Sequence, residues 1–119
     1  MKAATIHQHG GLECVQVEDD FPEPEPGPGE VLIDIKAAAL NHLEIWVREG
    51  NRKLEVDMPL VLGSDGAGTV AALGPQTHGP SEGDEVVINP GLSCGCCEFC
   101  LRGEDSECTS FGVLGMTRP

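Results

Sequence analysis

The chain has 119 residues, enough for one domain with a modest core. Twenty acidic against seven basic residues give a formal charge of −13, and repulsion from phosphate argues against nucleic acid or an anionic membrane as partner. One Trp, three Phe and no Tyr leave the core to Val, Leu, Ile and Ala.

The opening "MKAATIHQHGG" is too short and polar for a secretory signal, and no apolar run approaches a membrane span. A cytoplasmic location is therefore expected. The same segment predicts a short strand, and "LECVQVE", residues 12–18, a second one after a turn at Gly10-Gly11. "FPEPEPGPGE" carries four prolines and two glycines, which fit a stiff surface connection and not a sheet. "EVLIDIKAAAL" then alternates with period two, placing Val31, Ile33, Ile35 and Ala37 on one face. In "NHLEIWVREG" the period changes: Leu40, Leu43, Trp46 and Val47 share one side of a helix. Asn41 and Glu44 are spaced as a capping box, and Gly50 ends the helix. After the polar "NRKLEVD", a glycine-rich turn leads into a strand over 69–73, and another strand over 85–89 stops at Pro90-Gly91. About six short strands, one short helix and frequent Gly and Pro predict a mainly β fold, a barrel or sandwich without internal repeat or domain boundary.

Five of the six cysteines then fall within fifteen residues. Cys94, Cys97, Cys100 and Cys108 form C-x2-C-x2-C-x7-C, a spacing that lets four thiolates surround a tetrahedral zinc. Two-residue spacers wrap one side of the ion, and Gly103 permits the return. Disulfides fit a reducing compartment poorly. A thioredoxin-like C-x-x-C has no use for the third and fourth cysteine, and a ferredoxin-type cluster prefers a shorter last spacer followed by Pro. With all four ligands from the protein, such a zinc holds the loop and does no chemistry. Cys96 serves as ligand only if the first spacer shrinks to one residue, so it stays outside the set. Cys14 reads as a small buried apolar residue.

In their order, "PGPGEVLIDIKAAALN", "LGSDGAGTVAALG", "GDEVVINPG" and "CGCCEFCLRGEDSEC" resemble the medium-chain dehydrogenase/reductases, the zinc-type alcohol dehydrogenase superfamily. The resemblance spans nearly the whole chain. It implies a GroES-like, partly open β-barrel over residues 1–119 with a structural zinc lobe at 94–108. It further implies that such a domain is the substrate-binding half of a two-domain NAD(P)-dependent oxidoreductase.

Zinc-catalytic members carry a cysteine ligand where this chain has Asn41, and Gly-His-Glu where it has Gly63-Ser64-Asp65. Their proton-relaying hydroxyl is replaced by Leu43. Oxygen of serine or asparagine is a poor zinc donor beside thiolate or imidazole. Asn41 and the Gly-x-Asp turn resemble instead the quinone oxidoreductase branch, which implies reduction of quinones or activated carbonyls without a catalytic metal. On that resemblance Asn41, Ser64 and Asp65 line the active cleft. Two readings stand side by side for each: Asn41 is equally a helix cap, and Ser64-Asp65 equally shape a turn. His42 reads as an exposed histidine facing away from the apolar stripe, Trp46 as core or the border of a cleft, and His7, His9 and His78 have no partner pattern.

The dinucleotide fingerprint G-x-G-x-x-G is missing, and "GSDGAG" has the wrong glycine spacing with a strand after it. The expected partners are thus a small-molecule substrate and a Rossmann cofactor domain, on the same chain or separate; a homo-oligomer is compatible. This sequence alone is expected to be inactive. A metal-dependent alcohol dehydrogenase domain and a non-enzymatic, zinc-stapled β-domain are the alternatives.

Overall fold

A computed structural model describes residues 1–50 and 56–117, so most of the polar stretch before Met58 lies outside the described residues. In chain order the elements are β1 (Ala3–Ile6), a 3-10 turn (Leu12–Cys14), β2 (Val15–Glu18), β3 (Val31–Ala39), α1 (His42–Glu49), β4 (Leu60–Val61), β5 (Asp65–Leu73), β6 (Glu85–Val87), β7 (Gly91–Leu92), α2 (Glu98–Leu101), a second 3-10 turn (Asp105–Glu107) and β8 (Gly112–Val113). The fold is mainly β, as the sequence predicts, but eight short strands are described and a one-turn second helix is added. No helix among the described residues is long and apolar enough to cross a membrane.

Three antiparallel sheets result, with strand orders β2-β1-β4, β3-β5-β6 and β7-β8. In the first, Ile6 pairs with Val15 on one side and Leu60 on the other. Helix α1 packs on it, so that Ile6, Val47 and Leu60, at most 2% exposed, form the core, with Val15, Leu43, Val56, Met58, Leu62 and Met116 around them. Four of these nine are β-branched and none is aromatic, which is how a chain poor in rings closes a small core.

Helix α1 begins and ends where its residues direct. Asn41 and Glu44 form the reciprocal capping box, and Gly50 takes the left-handed conformation, φ 72°, that closes the last turn. Its buried face differs from the predicted stripe. Glu44, Val47 and Arg48 are buried, whereas Leu40 is 87% exposed and Trp46 lies at the surface. Arg48 is held inward because its guanidinium donates to the carbonyl of Gly10, which compensates a buried charge. His42 does not face away from Trp46: the two rings, one helical turn apart, meet edge-to-face at 5.0 Å.

Several strand predictions need correction. Residues 12–14 turn instead of extending, because the Cys14 N–H closes on the Gly11 carbonyl at 3.1 Å and the Glu13 carboxylate accepts from the Gly11 N–H. Strand β5 starts four residues before the predicted 69, and the glycine-rich "turn" belongs to the sheet. Gly68 lies against β3 so closely that a Cβ there would stand 2.2 Å from the Asp34 carbonyl oxygen. Glycine here permits close packing of strands; it does not break one. Along β3 the predicted face is interrupted, since pairing with β5 slips between Ile35 and Ala37, and Ile35 is 47% exposed. Strand β6 ends at Val87, two residues before the predicted Asn89, and a separate strand β7 opens at Gly91, whose pairing with β8 closes the base of the cysteine loop.

Candidate metal centre and the adjoining polar cluster

The loop between β7 and β8 carries the four cysteines inward. Cys97 caps α2, Cys100 sits within it, and the second 3-10 turn delivers Cys108. Gly103, φ 76°, makes the bend between them. Arg102 ties the return together, with Glu98 at 3.3 Å, Glu104 at 3.0 Å and its guanidinium 5.0 Å above the Phe99 ring. The ligand atoms of Cys94, Cys97, Cys100 and Cys108 all lie within 4.8 Å of one another. Cys97 and Cys100 sulfurs are 3.4 Å apart, and those of Cys94 and Cys100 3.9 Å. Sulfurs placed 2.3 Å from one tetrahedral ion stand about 3.8 Å from each other. All six cysteines are free thiols, and the donor set suits a structural zinc.

Backbone amides prepare these sulfurs for charge. The Cys94 N–H donates to the Cys108 sulfur at 3.3 Å, the Cys97 N–H to the Cys94 sulfur at 3.4 Å, and the Ser110 N–H to the Cys108 sulfur at 3.4 Å. The Cys94 thiol is drawn down to about 6, first by the backbone N–H of Cys96 and then by that of Cys97. Cys97 is also lowered, chiefly by the Cys100 N–H. Cys100 is pushed up to about 12 by burial, then by its thiol neighbours. Packed thiols compete for negative charge in this way, and a divalent ion at their centre lets all four ionise together. Cys96 lies outside the set, exposed, with its sulfur 3.7 Å from that of Cys94.

The second group lies where α1 meets β5. Pairing of Ala39 with Asp65 brings Asn41 beside that strand, and the Asn41 Nδ2 donates to the Asp65 carboxylate at 2.7 Å. Alternation along β5 turns Ser64 inward. It is 8% exposed, and its hydroxyl donates to Glu44 at 3.2 Å. The other Glu44 oxygen accepts from the Asn41 N–H at 2.5 Å. Asn41, Ser64 and Asp65 thus come together, joined by Glu44, which the sequence presents only as a capping residue. The capping-box spacing could have drawn attention to it, but nothing in the sequence joins it to Ser64. Asn41 keeps both readings, because it caps α1 and also reaches Asp65.

A catalytic zinc does not fit these residues. Both carboxylates already accept hydrogen bonds, and the remaining donors are an amide and a hydroxyl, weak beside sulfur or imidazole. Of the histidines, His9 Nδ1–H donates to the Val47 carbonyl at 2.8 Å and His7 meets Glu18 at 3.0 Å, partners that no sequence pattern announced. An open hollow of about 270 Å³ runs along Lys36, Ala67, Thr69 and Val87 and includes none of the four clustered residues.

The alcohol dehydrogenase GroES-like domain profile matches residues 27–118. The chain belongs to that family. It is similar to an alcohol dehydrogenase of Schizosaccharomyces pombe, 37% identical over 116 residues, which are 97% of this chain and 33% of that protein. The crystal structure of an NAD-dependent alcohol dehydrogenase superposes with TM-score 0.89 at 54% identity, over 99% of this chain and 34% of the other. A mycobacterial quinone oxidoreductase superposes with TM-score 0.66 at 35% identity, over 73% and 27%. The GroES-like domain therefore spans about a third of the length of the proteins it resembles, within the zinc-type medium-chain dehydrogenase/reductases.

Proposed function

We propose that the chain is the N-terminal, substrate-side domain of a zinc-containing NAD(P)H-dependent oxidoreductase that reduces quinones or other activated carbonyls without a catalytic metal. Cys94, Cys97, Cys100 and Cys108 hold one structural zinc. The Rossmann domain needed for turnover lies on the same polypeptide or on a separate chain. The observation that carries this reading is the closed pairing of Asn41 with Asp65 and of Ser64 with Glu44 at the positions where zinc-catalytic relatives place their cysteine and histidine ligands.

NAD(P)H, once bound, supplies the hydride. The residues here position what receives it. A carboxamide has two N–H donors; Asp65 takes one of Asn41's and fixes the side chain, and the other is available to a substrate oxygen. A neutral donor stabilises developing negative charge on that oxygen less than a metal does. Such a site suits acceptors already activated by conjugation. Glu44 and Ser64 act through Asn41 as positioning residues.

Metal and kinetic measurements on the protein joined to its cofactor domain test this. One zinc per chain, with quinone-dependent NAD(P)H oxidation reduced in Asn41→Ala, is expected. A second zinc per chain, together with alcohol oxidation, would establish the alternative of a metal-dependent alcohol dehydrogenase, which the alcohol-oxidising relatives favour.

A further inference from the structure

The zinc tetrad leaves one thiol of the lobe unused, and its position is not neutral. Cys96 stands two residues beyond Cys94 with its sulfur 3.7 Å away. Across Gly95, whose φ of 70° turns the chain back, no heavy atom lies within 4 Å of where a Cβ would be. Solvent reaches Cys94 and Cys96, whereas Cys97 and Cys100 are half-buried and Cys108 is buried. A disulfide requires the two sulfurs to close to about 2.05 Å, so the pair must approach by less than a bond length or so, with an uncrowded glycine between them to absorb the change. The exposed thiol, the nearest ligand sulfur and a pliant link therefore occupy three consecutive residues.

We propose that Cys96 is a peroxide-oxidised thiol that removes Cys94 from the metal by forming a Cys94–Cys96 disulfide. In the first step the Cys96 sulfur attacks one oxygen of a hydroperoxide. The O–O bond breaks, an S–O bond forms, and the thiol proton leaves with the departing oxygen as water or alcohol, giving a sulfenic acid. In the second step the Cys94 thiolate attacks that sulfur. The S–S bond forms, the S–O bond breaks, and hydroxide leaves to take a proton from solvent. The two sulfurs together lose two electrons and the peroxide gains them. The metal keeps three sulfur donors from a set that needs four, and the lobe between β7 and β8 loses its central tie. A reducing thiol reverses the sequence.

This rests on the lobe holding zinc, and the two ideas separate in one experiment. The zinc-loaded protein is first analysed for metal, which tests the lobe. It is then treated with hydrogen peroxide in the presence of a chromophoric zinc chelator, and the products are digested and mapped by mass spectrometry. The expected result is zinc release in step with a Cys94–Cys96 linkage. Release should be at least about tenfold slower in Cys96→Ser, and dithiothreitol should cleave the Cys94–Cys96 linkage. Equal release from wild type and Cys96→Ser would overturn the proposal, as would a linkage among Cys97, Cys100 and Cys108. Cys96→Ala provides a second variant at the same exposed position, and zinc-loaded protein that releases its metal with no Cys94–Cys96 linkage would also overturn the proposal.

Discussion

Glu44 shows most clearly how one residue serves fold and site together. It is 8% exposed and accepts from both the Asn41 amide and the Ser64 hydroxyl. Its replacement by Ala leaves the buried Ser64 hydroxyl and the part-buried Asn41 N–H without this partner, an expected loss of about 1–3 kcal/mol. Denaturant unfolding of Glu44→Ala should show a lowered midpoint, with Glu44→Gln in between; an unchanged midpoint would mean that water replaces these bonds. Glu18 supplies a pH-dependent counterpart at the far end of the first sheet. Its carboxyl is held below the usual 4.5 by the Thr5 hydroxyl first and then by His7. A depressed folded-state value means that the ionised form is the one favoured by folding. That contribution is complete above the ordinary value and disappears as pH falls through the lowered one. Urea midpoints measured through the acid range should therefore fall more steeply for wild type than for Glu18→Gln, and parallel curves would contradict the assignment.

Among the elements, β5 depends most on small side chains. Gly68→Ala would drive a Cβ to 2.2 Å from the Asp34 carbonyl, and overpacking of that kind costs about 1–3 kcal/mol. A lowered melting temperature should appear, with loss of amide protection concentrated in β3, β5 and β6. The cysteine lobe makes a separate unit, anchored by β7 and β8 and knitted by Arg102. Removing metal should cost residues 94–108 their hydrogen-exchange protection first, and Cys100→Ser should reproduce that pattern while Ile6, Val47 and Leu60 stay protected. These elements also show what the sequence could reveal. The helix, its caps and the cysteine spacing are local, set by residues three to eight apart, and they read directly. The first four residues of β5 did not, because Gly66 and Gly68 look like turn residues until the Asp34 backbone is seen against Gly68 and the Ile35 and Ile88 side chains against Gly66. Strand β7 did not either, since its partner lies about twenty residues further on. The Glu44–Ser64 pairing joins a helix to a strand through a fold that no spacing encodes.

At the scale of the whole molecule, several large apolar side chains lie at the surface. Ile35 and Val87 on the second sheet, Leu40 and Trp46 beside the Asn41 cluster and Phe111 on the lobe are exposed. The chain spans about a third of the length of the relatives it matches. The family and the mainly β fold were legible from ordered motifs. The choice of substrate was not, since Asn41, Ser64 and Asp65 read equally well as cap and turn residues. The central claim is that one zinc sits in the tetrad and none at Asn41 and Ser64. Zinc X-ray absorption on protein of measured metal content tests it most directly. One ion per chain with four sulfurs at about 2.3 Å is predicted; a second ion with nitrogen or oxygen ligands, or thiols found paired as disulfides in the untreated protein, would contradict it.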